Sequence, residues 1–363
     1  MTFVLGKHYT MVNYYEEIKN LFPLNQDEQR DFRTSLAVYL EQYIDICLKN
    51  GIDLKLLSEI SYICNMIKDI ARCLEKGLHV TAFKKLDNLF HGTKKHNALS
   101  KSMPVSTLEK DTPLYRIRLV DERKKKLSHN DMFHIPLNRK GIIRTQRYST
   151  PGYPCLYVGE SIYGCWEEMH RCNFDQCFVS RLEITQDLTL LDMRVPTEWM
   201  YKERLDAVLL RMPLIIACSI IVKNPDDVFK PEYSIPQLLT EWIINNNNNG
   251  SGKRKKGLIY GIRYTSSFAS KEFEFPGTKS DNVVFFVLDP LSSKKHCPEL
   301  SKLFKITSPT CNEYEKLKKG YDVDSGTYDN EANLEFNYDS SDFGQLEERL
   351  LDKNKFPAKP IDK

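Results

Sequence analysis

The stretch LYVGESIYGCWEEM (156–169) carries three glutamates within nine positions: Glu160, Glu167 and Glu168. Ser161 is a favourable N-cap residue, so the pattern predicts a helix that begins just after it. In such a helix, four residues share one stripe at steps of three and four: Ile162, Cys165, Trp166 and Met169. Glu167 lies far from this stripe, whereas Glu168 lies at its border. A carboxylate there could face a substrate, although the pattern alone favours an ordinary glutamate with its head in water.

The segments before this stretch have helical patterns. Residues 10–91 contain few strand signals, and the segment 56–90 places one set of apolar residues on a single helical face: Ile60, Ile63, Ile67, Ile70 and Leu74. The following stretch is polar and contains Gly, Ser and Pro, which is typical of a linker. We therefore predict an N-terminal α-helical bundle over 1–91 and a linker over 92–112.

From residue 113 onward, strand and helix patterns are mixed. Strand signals occur in short segments that are rich in β-branched or aromatic residues and bounded by turn residues: 114–120, 155–160, 177–184, 188–195, 258–265 and 282–290. Helical patterns fall between some of them. The predicted fold class is α+β, with a mixed α/β domain over 113–292. Within the extension 293–363, residues 321–350 hold nine acidic residues and one basic residue, which indicates a solvated acidic tail.

Composition and signals restrict the class of protein. The formal net charge of +3 on 363 residues predicts no large nucleic-acid footprint. The longest apolar run, 212–222, is too short to cross a bilayer as a helix, and the stretch 1–20 does not resemble a secretion signal. The ten cysteines include no CxxC pair. We therefore expect a reduced, cytoplasmic protein without a metal, in which His170, Cys172 and Cys177 are ordinary core or surface side chains.

An ordered series of motifs resembles the RES domain family. The matching positions are Arg116 in LYRI, Arg147-Tyr148, Tyr157 and Ser161 in LYVGES, Glu168, Tyr264-Thr265-Ser266, and Asn282 before the last strand. The resemblance covers about residues 112–292. Members of this family look like ADP-ribosyltransferases in fold and consume NAD. Several are toxins of toxin–antitoxin pairs, in which the antitoxin is a separate helical DNA-binding protein that occludes the site.

The resemblance implies that NAD is the substrate and that the nicotinamide–ribose bond is broken. Catalytic roles are implied for one set of residues: Glu168, Arg116, Tyr157 and Ser266. Substrate-binding roles are implied for a second set: Arg147, Tyr148, Ser161 and Asn282. Without the resemblance, a structural role would rank first for each of these side chains.

These residue types suit the chemistry. An anionic carboxylate beside the ribose stabilises the positive charge of the transition state more than it stabilises the ground state, which is the role implied for Glu168. A guanidinium such as that of Arg116 matches diphosphate oxygens, and a tyrosine ring such as that of Tyr157 can stack on nicotinamide. Ser266 could hold the ribose or orient Glu168.

Two further functions stay open. Residues 10–91 weakly resemble a HEPN domain, and Arg72 and His79 have the loose spacing of HEPN ribonucleases, in which an imidazole can act as general base. Alternatively, the chain is a non-catalytic module that binds NAD or a partner. Water, phosphate or a protein could accept the ADP-ribosyl group, so hydrolysis, phosphorolysis and transfer all remain open. The partners that we expect are NAD, a helical antitoxin and further copies of this chain, with no membrane and no nucleic acid.

Overall fold

The structure is a computed structural model that describes residues 14–120, 127–172, 176–249, 257–266, 281–309, 321–322, 327–328 and 338–362. The chain forms two compact units, and neither is continuous in sequence. The first unit comprises Met1–Val105, Arg144–Thr150 and Leu191–Lys256, and the second comprises Ser106–Ile143, Pro151–Leu190 and Gly257–Lys363. This division cuts across the contiguous segments that the sequence predicts.

The α-helices whose two ends both lie in the described residues are α1 (Phe32–Lys49), α2 (Leu54–Glu75), α3 (His79–His91), α4 (Ala98–Lys101), α5 (Ile162–Glu168), α6 (Glu198–Ser219), α7 (Ser234–Asn249), α8 (Pro298–Ser301) and α9 (Asp342–Leu351). Asp31 and Asp53 cap α1 and α2, because their carboxylates accept backbone N–H groups that have no partner within the helix. Four residues of the stripe predicted on α2 are fully or almost fully buried: Ile60, Ile63, Ile67 and Ile70.

Helices α6 and α7 belong to the first unit together with α1, α2 and α3. Residues 208–218 of α6 are buried on every side, as is typical of a helix in the middle of a core. The Tyr43 hydroxyl on α1 donates to the Leu209 carbonyl at 2.6 Å, and Trp242 on α7 donates to Asp87 on α3 at 2.9 Å. Among the described residues, no helix combines the length and apolarity that crossing a bilayer requires.

The strands of the described residues are β1 (Val105–Leu108), β2 (Pro113–Leu119), β3 (Cys155–Gly159), β4 (Cys177–Ile184), β5 (Leu188–Met193), β6 (Gly261–Thr265), β7 (Asp281–Phe286), β8 (Phe304–Ile306), β9 (Tyr321–Asp322), β10 (Thr327–Tyr328) and β11 (Lys359–Pro360). Nine of them form one sheet in the order β1-β5-β6-β7-β3-β2-β4-β8-β11, and β9 pairs with β10 separately. All six predicted strands are present within this sheet, so the fold is mixed α/β. Residues 92–112, predicted as a linker, contain α4 and β1.

The sheet is divided at its centre. Strand β2 pairs with β4 through seven residue pairs, and β3 pairs with β7 through five. In contrast, β2 and β3 share the single pair Tyr115↔Gly159. The two strands therefore part immediately beyond this pair, and their backbone edges become available to other groups.

Two cores cover the opposite faces of β2, because successive side chains of a strand alternate between faces. On one face, Tyr115 and Ile117 pack in a cluster that includes Trp166 of α5. On the other face, Leu114 packs in a cluster that includes Phe133. Helix α5 is thus fixed against the strand that carries Arg116.

The C-terminal extension is part of the folded second unit. Helix α9 buries Phe343, Leu346 and Leu350 in the same cluster as Trp166, and β11 pairs antiparallel with β8. The prediction of a solvated acidic tail is therefore wrong for 338–351. Four acidic residues occur there, but the three apolar residues recur at steps of three and four and form a helical face. Most of the remaining tail lies outside the described residues.

We expect Leu346→Ala to lower the free energy of unfolding by about 3 kcal/mol, since it leaves a cavity in a closed core. Leu351→Ala on the same helix is the matched control, because Leu351 is 45% exposed, and its cost should stay below about 1 kcal/mol. Urea denaturation of both variants measures the difference. Equal midpoints would show that α9 does not pack as described.

Candidate active site

Helix α5 is short, and its N-terminal end is fixed from two directions. The Ser161 hydroxyl accepts the Gly164 N–H at 3.0 Å and so acts as the N-cap. The Ile162 N–H donates to Glu347 Oε1 of α9 at 2.5 Å. Since the first N–H groups of a helix lack intrahelical acceptors, these bonds supply acceptors that the helix itself does not. The seven-residue helix ends at Glu168, and His170 next adopts a left-handed φ of 53°.

The Glu168 carboxylate receives hydrogen bonds from two strand ends. Ser266, which directly follows β6, donates its hydroxyl to Glu168 Oε1 at 2.6 Å. Asn282 of β7 donates its side-chain N–H to the same oxygen at 2.8 Å. Both donors are more than nine-tenths buried, while Glu168 is half-buried. The arrangement fixes a carboxylate at the border of the core, where the apolar stripe of α5 predicts it.

The other two glutamates of the stretch lie in buried ion pairs. Glu160 pairs with Arg263, with one N···O distance of 2.5 Å. Glu167 pairs with Arg171 at 3.0 Å and is 4% exposed. Buried carboxylates of this kind are held by the compensating cation. Glu168 differs in that two neutral donors, a hydroxyl and an amide, orient it.

Gly159 makes room for this arrangement. A Cβ atom at this position would lie 2.7 Å from Cys165 Sγ and 3.0 Å from Asn282 Oδ1. Gly159 pairs with Asn282 across β3 and β7, so the bare backbone allows the amide and α5 to approach each other. A glycine inside a strand commonly marks such an approach, and this signal was present in the sequence but was not used there.

Arg116 lies at the division between β2 and β3. Its Nη1 donates to the Tyr157 carbonyl of β3 at 3.3 Å. Its Nε is buried and has no hydrogen-bond partner among the described residues. Burial, with a smaller contribution from Arg118, lowers the pKa of Arg116 to about 10. A guanidinium with an unsatisfied buried N–H group is a fitting partner for an anionic ligand.

The charges of Arg116 and Glu168 act on the same thiol. Burial raises the pKa of Cys165 to about 12; the Glu347 and Glu168 carboxylates add to this, and Arg116 opposes it. The Cys165 thiol also donates to the Tyr115 carbonyl at 3.2 Å, beside the division of the sheet. Arg116 and Glu168 therefore both influence Cys165, with opposite signs.

Tyr157 and Ser161 have different surroundings. Tyr157 is half-buried, and strand alternation places it on the same face as Gly159 and its partner Asn282. This places an aromatic ring on the face where Asn282 holds Glu168. The Ser161 hydroxyl is the helix cap described above, so its documented contact is structural. Its substrate-binding role stays a prediction.

Arg147 and Tyr148 belong to the first unit. Arg147 Nη1 donates to the Cys218 carbonyl at 2.8 Å and to the Ile220 carbonyl at 3.0 Å, and its guanidinium lies over the Tyr233 ring at 5.2 Å. Tyr148 is 1% exposed. These contacts are structural, and binding of substrate by either residue stays a prediction.

Arg72 and His79 lie near the junction of α2 and α3, and both are exposed. Arg72 pairs with Asp69 at 2.8 Å, and it lines a cavity with five other residues: Arg33, Thr34, Ala37, Lys68 and Asp69. The pairing uses the guanidinium in a surface ion pair of little strength. Among the described residues, no group of three or more His, Cys, Asp or Glu side chains is arranged to hold a metal.

Comparison with known proteins finds a family match and a relative. The family model of the RES domain matches residues 113–301, which include Glu168, Ser266 and Asn282, together called the Glu168 cluster. The chain belongs to the RES domain family. It is also 31% identical over 248 residues to a Bacillus subtilis (strain 168) protein named "Putative toxin YopC", covering 62% of this chain and 53% of that protein. The chain thus spans about half the length of this relative. No solved structure matches the chain.

We expect Gly159→Ala to displace Asn282 or Cys165 and to lower the melting temperature by several degrees, as overpacking costs about 1–3 kcal/mol. Gly141→Ala is the control, because a Cβ atom at Gly141 meets nothing within 4 Å. Differential scanning fluorimetry compares the two RES domain variants. A Gly159 variant as stable as the control would contradict the close approach of β3, β7 and α5.

Proposed function

We propose that this RES domain protein consumes NAD by breaking the bond between nicotinamide and ribose, as its resemblance to ADP-ribosyltransferase-like enzymes implies. The observation that carries the proposal is the Glu168 carboxylate, oriented by Ser266 at 2.6 Å and by Asn282 at 2.8 Å. A carboxylate held this rigidly at the border of the core is suited to a cationic sugar, because it needs little reorganisation when the charge develops.

In the proposed reaction, the bonding electrons of the glycosidic bond leave with nicotinamide. The departing ring becomes neutral, so no strong general acid is required. The ribose anomeric carbon becomes oxocarbenium-like, as in glycosidases, where carboxylates flank a similar cation. Glu168 stabilises this charge and holds a ribose hydroxyl, which lowers the transition state more than the ground state.

Different residues would bind different parts of NAD. Arg116 has a buried Nε without a partner among the described residues, and the NAD diphosphate would supply acceptors to its guanidinium. The Tyr157 ring would stack on nicotinamide. Ser266 and Asn282 are positioning residues, because their documented bonds are to the carboxylate. Bound NAD would exclude water from the developing charge.

We infer a toxin-like role in the cytoplasm, supported by the family and by the name of the Bacillus subtilis relative. Depletion of NAD would stop growth, so such a protein requires an inhibitor, for which a helical antitoxin is the expected class. Water, phosphate or a protein side chain could each complete the reaction, since the same bond is broken in every case. Binding of NAD or of a partner without turnover is the competing interpretation.

We expect Glu168→Gln to reduce kcat for NAD at least 100-fold, because it removes the negative charge and keeps the shape. Glu109→Gln is the control, since Glu109 is exposed in the same unit and should retain wild-type activity. Liquid chromatography of NAD and nicotinamide measures both rates. Glu167→Gln is a poorer control, because it leaves Arg171 without its buried counter-charge.

Two outcomes would contradict the proposal in different ways. Equal nicotinamide release by Glu168→Gln and wild type would remove Glu168 from the chemistry. Tight binding of NAD by the wild type without any nicotinamide after long incubation would favour a binding module. Intact thermal stability of each variant, checked in parallel, separates these outcomes from misfolding.

A substitution at Asn282 tests whether the ionised form of Glu168 is the active one. Asn282→Asp places a second carboxylate at the position of a donor 2.8 Å from Glu168. Two carboxylates at this distance share a proton, so the acid limb of kcat/KM against pH should move up by about two units. Asn282→Ala is the matched control and should lower the rate roughly tenfold without moving the limb. An unchanged acid limb for Asn282→Asp would show that Glu168 does not act as an anion.

A further inference from the structure

Two cysteines lie in contact beyond the C-terminal end of α5. Cys172 comes four residues after Glu168, and Cys177 is the first residue of β4. Their Sγ atoms are 2.7 Å apart. Both residues belong to the second unit, and neither is part of the Glu168 cluster. The pair is therefore available for chemistry that the proposed NAD reaction does not use.

The separation suits bond formation. Non-bonded heavy atoms are most stable at about 3.5–4.0 Å, whereas a disulfide has a sulfur–sulfur bond of about 2.05 Å. The observed distance of 2.7 Å is intermediate between these values, so a small change in the side-chain torsion angles would join the two atoms.

The two thiols have complementary properties. Cys172 is half-buried, and Cys177 is fully buried. The hydrogen bond with Cys177 lowers the pKa of Cys172. In contrast, burial raises the pKa of Cys47 to about 11 and that of Cys64 to about 12. Because the thiolate is the reactive form, Cys172 is the favoured nucleophile. Cys177 lies where it can attack a mixed disulfide formed on Cys172.

We propose that Cys172 and Cys177 are a reversible disulfide site, oxidised by a small disulfide such as oxidised glutathione. The Cys172 thiolate attacks one glutathione sulfur, forms a mixed disulfide and releases one glutathione thiolate. Cys177 then loses its proton and attacks the Cys172 sulfur, which releases the second glutathione. Overall, two protein thiols are oxidised to one disulfide while one glutathione disulfide is reduced to two glutathione molecules.

The disulfide would strengthen a junction that already exists. The Trp166 ring N–H of α5 donates to the Cys172 carbonyl at 3.0 Å, and Arg171 beside it holds Glu167. Linking Cys172 to β4 would therefore fix the C-terminal end of α5. The consequence is a more stable second unit, with the Glu168 cluster left in place.

Trypsin offers a direct assay, because cleavage after Arg171 and Arg181 yields the peptide CNFDQCFVSR, which contains both cysteines and no others. The full chain is equilibrated in buffers with increasing ratios of oxidised to reduced glutathione, and its free thiols are alkylated with iodoacetamide. After digestion with trypsin, mass spectrometry measures the mass of this peptide. We expect a peptide that lacks both alkyl groups and is lighter by two hydrogens, and that is restored by dithiothreitol. The melting temperature of the oxidised chain should rise by a few degrees.

Matched variants decide the assignment. In Cys172→Ser and Cys177→Ser, the rise in melting temperature should disappear, whereas Cys73→Ser should retain it, since Cys73 lies on α2 in the first unit. Doubly alkylated peptide throughout the glutathione series would overturn the proposal. A stable glutathione adduct on Cys172 without the internal link would overturn it as well. Neither result depends on whether the chain consumes NAD.

Discussion

The position of one carboxylate depends on contacts that are remote in sequence. Glu168 stands at the end of a short helix, and its two documented donors, Ser266 and Asn282, come 98 and 114 residues later in the chain. Asn282 lies on β7, whose register is set against β3, and Ser266 follows β6, whose register is set against β7. Because Gly159 has no side chain, β7 and α5 can approach each other beside β3. A slip of one residue in β7 would turn Asn282 away from the carboxylate.

The partners of the buried charged side chains differ between the candidate site and its surroundings. Glu160 and Glu167 are matched by arginines, which makes them parts of the structure. Arg116 instead lies where the sheet divides, with a carbonyl as its hydrogen-bond partner and a buried N–H group left over. Burying a cation in this way costs stability. Such a cost is expected where a charged ligand completes the arrangement.

Much of the second unit was predictable, because strands and the amphipathic stripe of α5 leave local patterns. The border position of Glu168 followed from the stripe of Ile162, Cys165, Trp166 and Met169. The support from Glu347 was not predictable, since nothing local connects an acidic C-terminal helix with the start of α5. The sequence also did not indicate that α6 and α7 belong to the first unit. Periodicity shows that a helical face is buried, but it does not show which element packs against that face. The bonds from Ser266 and Asn282 required the sheet register.

The most direct test of the central claim is a crystal structure of the Glu168→Gln variant with NAD bound. The account predicts that the nicotinamide ribose lies within hydrogen-bonding distance of the side chain at position 168, and that the diphosphate contacts Arg116. NAD bound elsewhere on the chain, or bound with its adenosine end at position 168, would contradict the account.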